Sequence, residues 1–223
     1  MIDLSIVMPC LNEERTIATC IEEASGFIKS AGLSGEIIVV DNNSTDSSAK
    51  IAKKMGARVV FEQKPGYGNA LRAGLAKAKG KVIIMGDCDM TYDFSNLHEM
   101  YDLLQKNDLV IGDRFRGGIQ KGAMPLSHHI GVKGLSLVGR MRYGTDVKDF
   151  HCGLRGIRNE ALGKVDYKTT GMEFATEMIA EAVRNDLTIA QTPVILRNSV
   201  KGRRPKLNTI RDGFRHLNYI IWQ

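Results

Sequence analysis

Apolar and polar positions along the first half of the chain fall into short blocks that predict strands and helices by turns. "LSIVM" (4–8) is a compact, mostly apolar run of the kind a buried strand needs. Over residues 13–30 the apolar positions are Ile17, Cys20, Ile21, Ala24 and Ile28, which is helical spacing. "EIIVV" (36–40) predicts a second strand, and Ser44 and Thr45 offer N-caps to a helix running through Met55. "ARVVF" (57–61) predicts a third strand, 68–79 a helix, and "KVIIM" (81–85) a fourth strand. Leu97, Met100, Tyr101 and Leu104 mark another helix, and "DLVIG" (108–112) another strand. Repeated strand–helix units with short apolar strands imply an α/β fold, with a mainly parallel sheet covered on both faces.

The second half is less regular. Residues 113–126 are Gly-rich and basic, which predicts a loop, and a helix is expected over 129–142. "DFHCGLRGI" (149–157) follows, then a helix over 171–185, a strand near 187–196 and a basic loop, "RNSVKGRRPK" (197–206). Leu207, Ile210, Phe214, Leu217 and Ile221 recur at helical spacing to the end. The change of texture near 113 predicts one domain over 1–223, a regular half (1–113) and a C-terminal elaboration (114–223).

Composition narrows the class. The chain has 223 residues, 43% hydrophobic and 25% charged, enough to bury a sizeable core in one large domain or two small ones. Its longest apolar runs are about four residues, far short of the ~18 a membrane span needs. No basic leader precedes the first strand, so no signal peptide is expected. Cys10, Cys20, Cys88 and Cys152 lie too far apart for a close-set zinc site or a redox CxxC, which predicts reduced thiols and an intracellular setting. The net charge of +6 favours anionic partners.

In open parallel sheets, ligands collect beyond the carboxyl ends of the strands. Those ends carry Pro9 with Asn12 and Glu13, Asp41 with Asn42 and Asn43, Lys64 with "PGYGN", and Asp87 with Asp89. Four polar strand ends in succession point to a shared site. The pair in "GDCD" (86–89) holds two carboxylates one residue apart after an apolar strand. Such oxygens suit Mg²⁺ or Mn²⁺, which keep waters and bridge to substrate phosphates. "KPGYGNALRAGL" (64–75) resembles a Gly loop leading a phosphate onto a helix N-terminus, though it matches neither the dinucleotide fingerprint nor the P-loop. Arg114, then Lys133, Arg140 and Arg142, and later Arg203, Arg204 and Lys206 form basic groups able to hold phosphates. Glu173 and Glu177 stand at i and i+4 on one helix face, and His128, His129 and His151 have no metal-ligand spacing.

These residues together resemble a family-2 glycosyltransferase of the GT-A fold. The matching stretches are "IVMPCLNEERTI" (6–17), "VVDNNSTDSS" (39–48), "KPGYGNALRAG" (64–74), "GDCD" (86–89), "GDRFRGG" (112–118), "DFHCGLRGIR" (149–158) and "RPKLNTIRDGFRHL" (204–217), in order over nearly the whole chain. Within the family the chain is similar to the polyprenyl-phosphate hexosyltransferases, the dolichyl-phosphate mannose synthase type. The resemblance implies a nucleoside pocket lined by Pro9, Asn12, Glu13 and Asp41, the last accepting from a base N–H. Asp87, Cys88 and Asp89 would be the DxD, with Asp87 near ribose and metal and Asp89 the main ligand of Mg²⁺ or Mn²⁺. Lys64, Gly66 and Gly68 would border the nucleotide, and Arg204 and Lys206 would close over the diphosphate. Arg114 and Lys133 would face the acceptor phosphate. The family's common Lys-Gly-Xaa-Gly is here Lys64-Pro65-Gly66-Tyr67-Gly68, and an Arg is more usual at the place of Lys133.

The activity so implied is inverting, metal-dependent transfer of a hexose from a nucleotide-diphospho-sugar, UDP- or GDP-linked, to a polyprenyl phosphate. A phosphate monoester, with a second pKa of about 6, attacks without a general base. A sugar-hydroxyl acceptor, as in surface polysaccharide synthesis, would need one, and Asp149, Glu173 and Glu177 are the candidates. A lipid acceptor predicts membrane contact. Residues 207–222, with Arg211, Arg215 and His216 and the ending "YIIWQ", have the make-up of an interfacial helix, the alternative being a core-packed terminal helix. The resemblance implies work at the cytoplasmic face of a membrane, in a chain that often continues into transmembrane helices. A pyrophosphorylase would carry a Gly-rich signature where this chain has "PCLNEE". A nucleic-acid-binding module would want aromatic residues interleaved in its basic loops, and the late basic loop (197–206) has none.

Overall fold

The computed structural model describes residues 2–200 and 209–223. Its first part is the predicted alternation. β1 (Leu4–Cys10) leads to α1 (Ile17–Ser30), β2 (Gly35–Asp41), α2 (Ser48–Lys54), β3 (Arg58–Phe61), α3 (Tyr67–Leu75) and β4 (Val82–Met85). α4 (His98–Leu104), β5 (Leu109–Asp113), α5 (Arg114–Gly117) and α6 (Leu126–Tyr143) follow. The last elements are β6 (Arg155–Arg158), α7 (Asn159–Leu162), α8 (Phe174–Arg184), β7 (Ile189–Pro193) and α9 (Thr209–Trp222).

The strands form a single sheet in the order β3-β2-β1-β4-β6-β5-β7. β1 pairs in parallel with β2 and β4, β2 with β3, and β5 with β7. β6 alone runs antiparallel to both its neighbours. β4 is buried at every position, and β1 at all but Pro9, as expected of strands covered on both faces. Chain order reverses between β1 and β4, since β2 and β3 lie on one side of β1 and β4 on the other. Ligands of open α/β sheets bind in the crevice outside the carboxyl ends at such a reversal. The second half is woven into the same sheet, because β6 lies between β4 and β5.

Two local expectations are corrected. Ser44 and Thr45 do not cap α2. Ser44 Oγ accepts from the Asn12 amide at 2.9 Å and the Thr45 amide donates to Asn12 Oδ1 at 2.7 Å, while Asp46 Oδ1 takes the Ser48 amide at 2.9 Å. These bonds lace the loop after β1 to the loop after β2. Nor is 113–126 loop throughout: Asp113 accepts from the amides of Phe115 and Arg116 and caps the short α5.

α9 is core-packed on one side. Asp212, His216, Tyr219 and Ile220 are buried, whereas Phe214, Ile221 and Trp222 are exposed.

Candidate active site

At the β1/β4 reversal lies a cavity of about 440 Å³. Its floor is the pair of strand exits: Pro9, Cys10, Leu11 and Glu13 after β1, and Asp87, Cys88 and Asp89 after β4. Asn42, Pro65, Gly66, Tyr67 and Ala70 form one wall; Thr170, Gly171 and Met172 form another, with Arg211, Asp212 and Arg215 of α9. Carboxylates and guanidinium groups thus face a single space.

The aspartates are held in place. Asp89 is buried, and its Oδ1 accepts from the Thr91 amide at 3.0 Å and from Thr91 Oγ1. Tyr67 hydrogen-bonds to Asp87, and burial together with the Asp87 charge pushes the phenol well above its ordinary range, so Tyr67 keeps its proton. Between the aspartates, the Cys88 carbonyl accepts from Thr16 Oγ1 at 2.8 Å, which ties the turn to the head of α1.

Gly66 and Gly68 are explained by backbone approach. Gly66 has φ 140, and a Cβ there would run into the Thr170 carbonyl oxygen. At Gly68 a Cβ would stand 2.5 Å from the Thr169 carbonyl oxygen. The amides of Gly68 and Asn69, at the head of α3, donate to Thr170 O at 3.0 and 3.3 Å. A carbonyl therefore occupies amides that a phosphate-cradling loop would aim at its ligand. The 168–170 segment is fixed in turn by buried Glu177, which accepts from the amides of Lys168 at 2.7 Å and Thr169 at 3.0 Å.

Of the residues singled out in the sequence, Pro9, Glu13, Gly66, Asp87, Cys88 and Asp89 line this cavity. Asn12 braces the two loops, and the Lys64 side chain is exposed. Asp41 is not among the residues lining the cavity, though its strand partner Cys10 is. Asp41 is 5% exposed, and its Oδ1 has no hydrogen-bond partner among the described residues. Arg204 and Lys206 lie outside the described residues.

Arg114 is not among the residues lining this cavity and pairs with Asp149 through Nε at 2.6 Å and Nη2 at 2.7 Å, with Asp149 fully buried. A bidentate buried pair leaves this guanidinium fork filled by the chain's own carboxylate. Lys133 is exposed on α6, its ammonium 5.0 Å from the centre of the Phe115 ring, and is not among the cavity-lining residues. The three proposed bases are also engaged. Asp149 holds Arg114, Glu177 holds the 168–170 segment, and Glu173 accepts from Arg215 at 2.6 Å. Glu173 and Glu177 border a separate cavity of about 560 Å³ beneath α9.

Sequence reasoning missed Arg211, Asp212 and Arg215 as site residues. It assigned the two arginines to a membrane face, although their i, i+4 spacing on a helix already put them on one side together. His216 was assigned there too, but it is buried. Its ring stands edge-on to His151 with centroids 4.3 Å apart, and Nδ1 lies 2.8 Å from Thr176 Oγ1. Burial, reinforced by Arg155, depresses His216 to about 4, and burial with His216 and Arg114 nearby holds His151 well below the ordinary range. Unfolding lets both imidazoles bind protons at pH values where the folded chain keeps them neutral. Stability is therefore complete above pH ~6.5 and falls as the pH drops toward the folded values. For His216, a shift from 6.5 to about 4 corresponds to about 3 kcal/mol, roughly 2 of it lost by pH 5. Melting curves from pH 7 to 5 are expected to show at least that loss, and His216→Gln should make the fall shallower while His151 keeps the rest; equal slopes would refute the assignment.

The sequence pattern described as "Glycosyl transferase family 2" matches residues 5–166. A relative from Haloferax volcanii, the "Low-salt glycan biosynthesis hexosyltransferase Agl6", is 37% identical over 221 residues, covering 98% of this chain and 53% of that protein. This chain thus spans about half that relative's length. The "Dolichyl-phosphate hexose transferase" of the same organism is 30% identical over 194 residues, covering 86% of this chain and 82% of that protein. Glucosyl-3-phosphoglycerate synthase from Mycobacterium tuberculosis, solved with uridine diphosphate, superimposes with a TM-score of 0.78 at 23% identity, covering 98% of this chain and 79% of that one. The same enzyme solved with Mn²⁺, UDP-glucose and phosphoglyceric acid gives 0.72 at 24% identity, covering 92% of this chain and 73% of that one. At such identity the likeness speaks for the GT-A fold alone.

Proposed function

The chain belongs to glycosyl transferase family 2, and from that premise we propose that it transfers a hexose from a nucleotide-diphospho-sugar to a polyprenyl phosphate, inverting the anomeric carbon. The observation that carries this reading is the cavity at the β1/β4 reversal, where Asp87 and Asp89 face Arg211 and Arg215. Two hard carboxylates on the floor suit Mg²⁺ or Mn²⁺, which take their remaining ligands from water and phosphate. Among the described residues no group of three or more His, Cys, Asp or Glu could cage a metal without such help. When bound at Asp87 and Asp89, the ion supplies positive charge against the diphosphate. Arg211 and Arg215 add cationic donors from the wall, where charge develops on the leaving group. The unpartnered Oδ1 of Asp41 matches a base N–H.

A lipid phosphate is deprotonated enough to attack unaided, so the site needs to position it and no more. That agrees with the engagement of Asp149, Glu173 and Glu177 elsewhere. Asp212 favours a second reading, because it is a buried carboxylate on the cavity wall, bonded by Arg211 at 3.3 Å, that could serve as base toward a sugar hydroxyl. Radiolabelled UDP- and GDP-hexoses, each with Mn²⁺, distinguish the two when offered polyprenyl phosphate or a free oligosaccharide. The first reading expects label in the lipid fraction and an Asp212→Asn variant within about threefold of wild type on that acceptor. Label in oligosaccharide alone, lost on that substitution, overturns it.

The relative named for dolichyl phosphate supports a lipid acceptor, and the surface supports a membrane. Exposed Leu126, Ile130, Leu137 and Met141 make a stripe on α6, beside exposed Phe214, Ile221 and Trp222 of the adjacent α9. Lys133 and Arg142 are exposed on the same α6. Among the described residues no helix is long and apolar enough to cross a membrane, so contact of this kind lies in the interface, at the cytoplasmic face in this reading. Flotation with anionic vesicles is expected to carry the protein. Trp222→Glu should weaken binding by about tenfold or more, since burying one large apolar side chain contributes about 2 kcal/mol. Protein left in the bottom fraction at low salt would remove the membrane from the proposal.

A further inference from the structure

Two of the four free, buried cysteines meet in the cavity just described. β1 and β4 are parallel neighbours with Val7 opposite Met85, and Cys10 ends β1 while Cys88 lies in the turn just past β4. The two thiols lie close enough to perturb each other, and Cys88 Sγ lies 3.2 Å from the Pro9 carbonyl oxygen. Cys20 and Cys152 do not line the cavity. Cys88 is the residue between Asp87 and Asp89, so whatever moves it moves both carboxylates.

We propose that Cys10 and Cys88 are an oxidation site: a small peroxide converts this dithiol to a disulfide, and the bond disables the cavity for its nucleotide. The second clause rests on the donor-site reading above; the bond formation does not. Cys10 sulfur attacks one peroxide oxygen, the O–O bond breaks, and a sulfenic acid and one water result once the thiol proton is counted. Cys88 sulfur then attacks the sulfenic sulfur. The S–S bond forms, and the hydroxyl leaves as a second water with the Cys88 proton. Two thiols lose two electrons, and the peroxide gains them.

The placement allows the bond. Cys88 Sγ touches the carbonyl of Pro9, the residue before Cys10, and a disulfide spans ~4.4–6.8 Å between Cα atoms. A disulfide needs its sulfurs ~2.05 Å apart, closer than any non-bonded thiol pair, so one side must move by about 1 Å or more. β1 is clamped between β2 and β4, whereas residues 86–91 have left the sheet. Movement therefore falls on the aspartate turn, and a misplacement of ~1 Å in a site costs on the order of 10²-fold.

The test treats reduced protein with hydrogen peroxide, maps cysteines by mass spectrometry without reductant, and titrates UDP, GDP and dTDP with Mn²⁺ before and after. Trypsin cuts at Arg15, so Cys10 and Cys20 fall in separate peptides. Expected are a loss of ~2 Da, the two thiol hydrogens, and one linked pair, Cys10 with Cys88. Nucleotide affinity should fall at least ~10-fold and return with dithiothreitol. Cys10→Ser and Cys88→Ser should each yield no linked peptide after peroxide, and Cys10→Ser, compared with its own reduced form, should show no peroxide effect on affinity. A link through Cys20, sulfinic acid without a link, or a Cys10–Cys88 bond that leaves affinity unchanged overturns the inference. Reduced protein that binds none of the three nucleotides overturns the donor-site reading instead, and the linked peptide is scored apart from it.

Discussion

Asp89→Asn is expected to lower hexose transfer on the order of 10²–10³-fold while moving the melting temperature by no more than about 2 °C. The substitution keeps an oxygen where Asp89 accepts from the Thr91 amide and hydroxyl, so the turn after β4 retains its bonds. What disappears is one unit of negative charge on the cavity floor that suits a divalent ion, and with it half the carboxylate pair at that exit. The effect should also be visible without turnover. A nucleoside diphosphate that binds only the folded chain raises its melting point, and Mn²⁺ should enlarge the rise in wild type but not in the variant. Transfer within about threefold of wild type would show that Asp89 has no part in the reaction.

Asp149→Asn carries the largest expected cost in stability. Asp149 is fully buried, and it holds Arg114, itself 8% exposed, through two short bonds. The amide leaves a buried guanidinium without its counter-charge, a change that typically costs 3–5 kcal/mol. For a chain of this length each kcal/mol moves the melting point about 2–4 °C, so a fall of about 10 °C is expected. Replacing the pair together, as Arg114→Met with Asp149→Leu, removes both charges and should recover most of that fall. The comparison also decides what Arg114 is for. If it instead served an acceptor phosphate, Asp149→Asn would leave the melting point unchanged and shift the acceptor KM.

The strand–helix alternation that places β1 to β5 could be read directly, because each element announces itself through the spacing of apolar residues within about ten positions. β6 shows where such reading fails. Its four residues include Arg155 and Arg158, and no periodicity in so short a piece indicates that it runs antiparallel between β4 and β5. Arg155 is tolerated at 2% exposure because three carbonyls surround it: Cys152 at 2.6 Å, Phe150 at 2.5 Å, and Ala175. Cys152 and Phe150 lie on the loop just before β6, folded back on it, and Ala175 on α8, twenty residues on, is brought near by the tertiary fold.

The candidate site divides the same way. Polar residues at the ends of four strands pointed to a shared pocket, since parallel strands must present their carboxyl ends on one edge. Sequence alone thus determined the parallel strand–helix units, the polar edge they present and the acidic pair at the β4 exit that lines the cavity. The tertiary structure decided the partners: Arg114 for Asp149, Glu177 for the 168–170 segment, the Thr170 carbonyl for Gly68, and α9 as a wall bearing Arg211 and Arg215. Element type follows from neighbours along the chain. The partner of a buried charge or amide is fixed by the cost of leaving it unpaired among residues far apart in sequence, which no local spacing records.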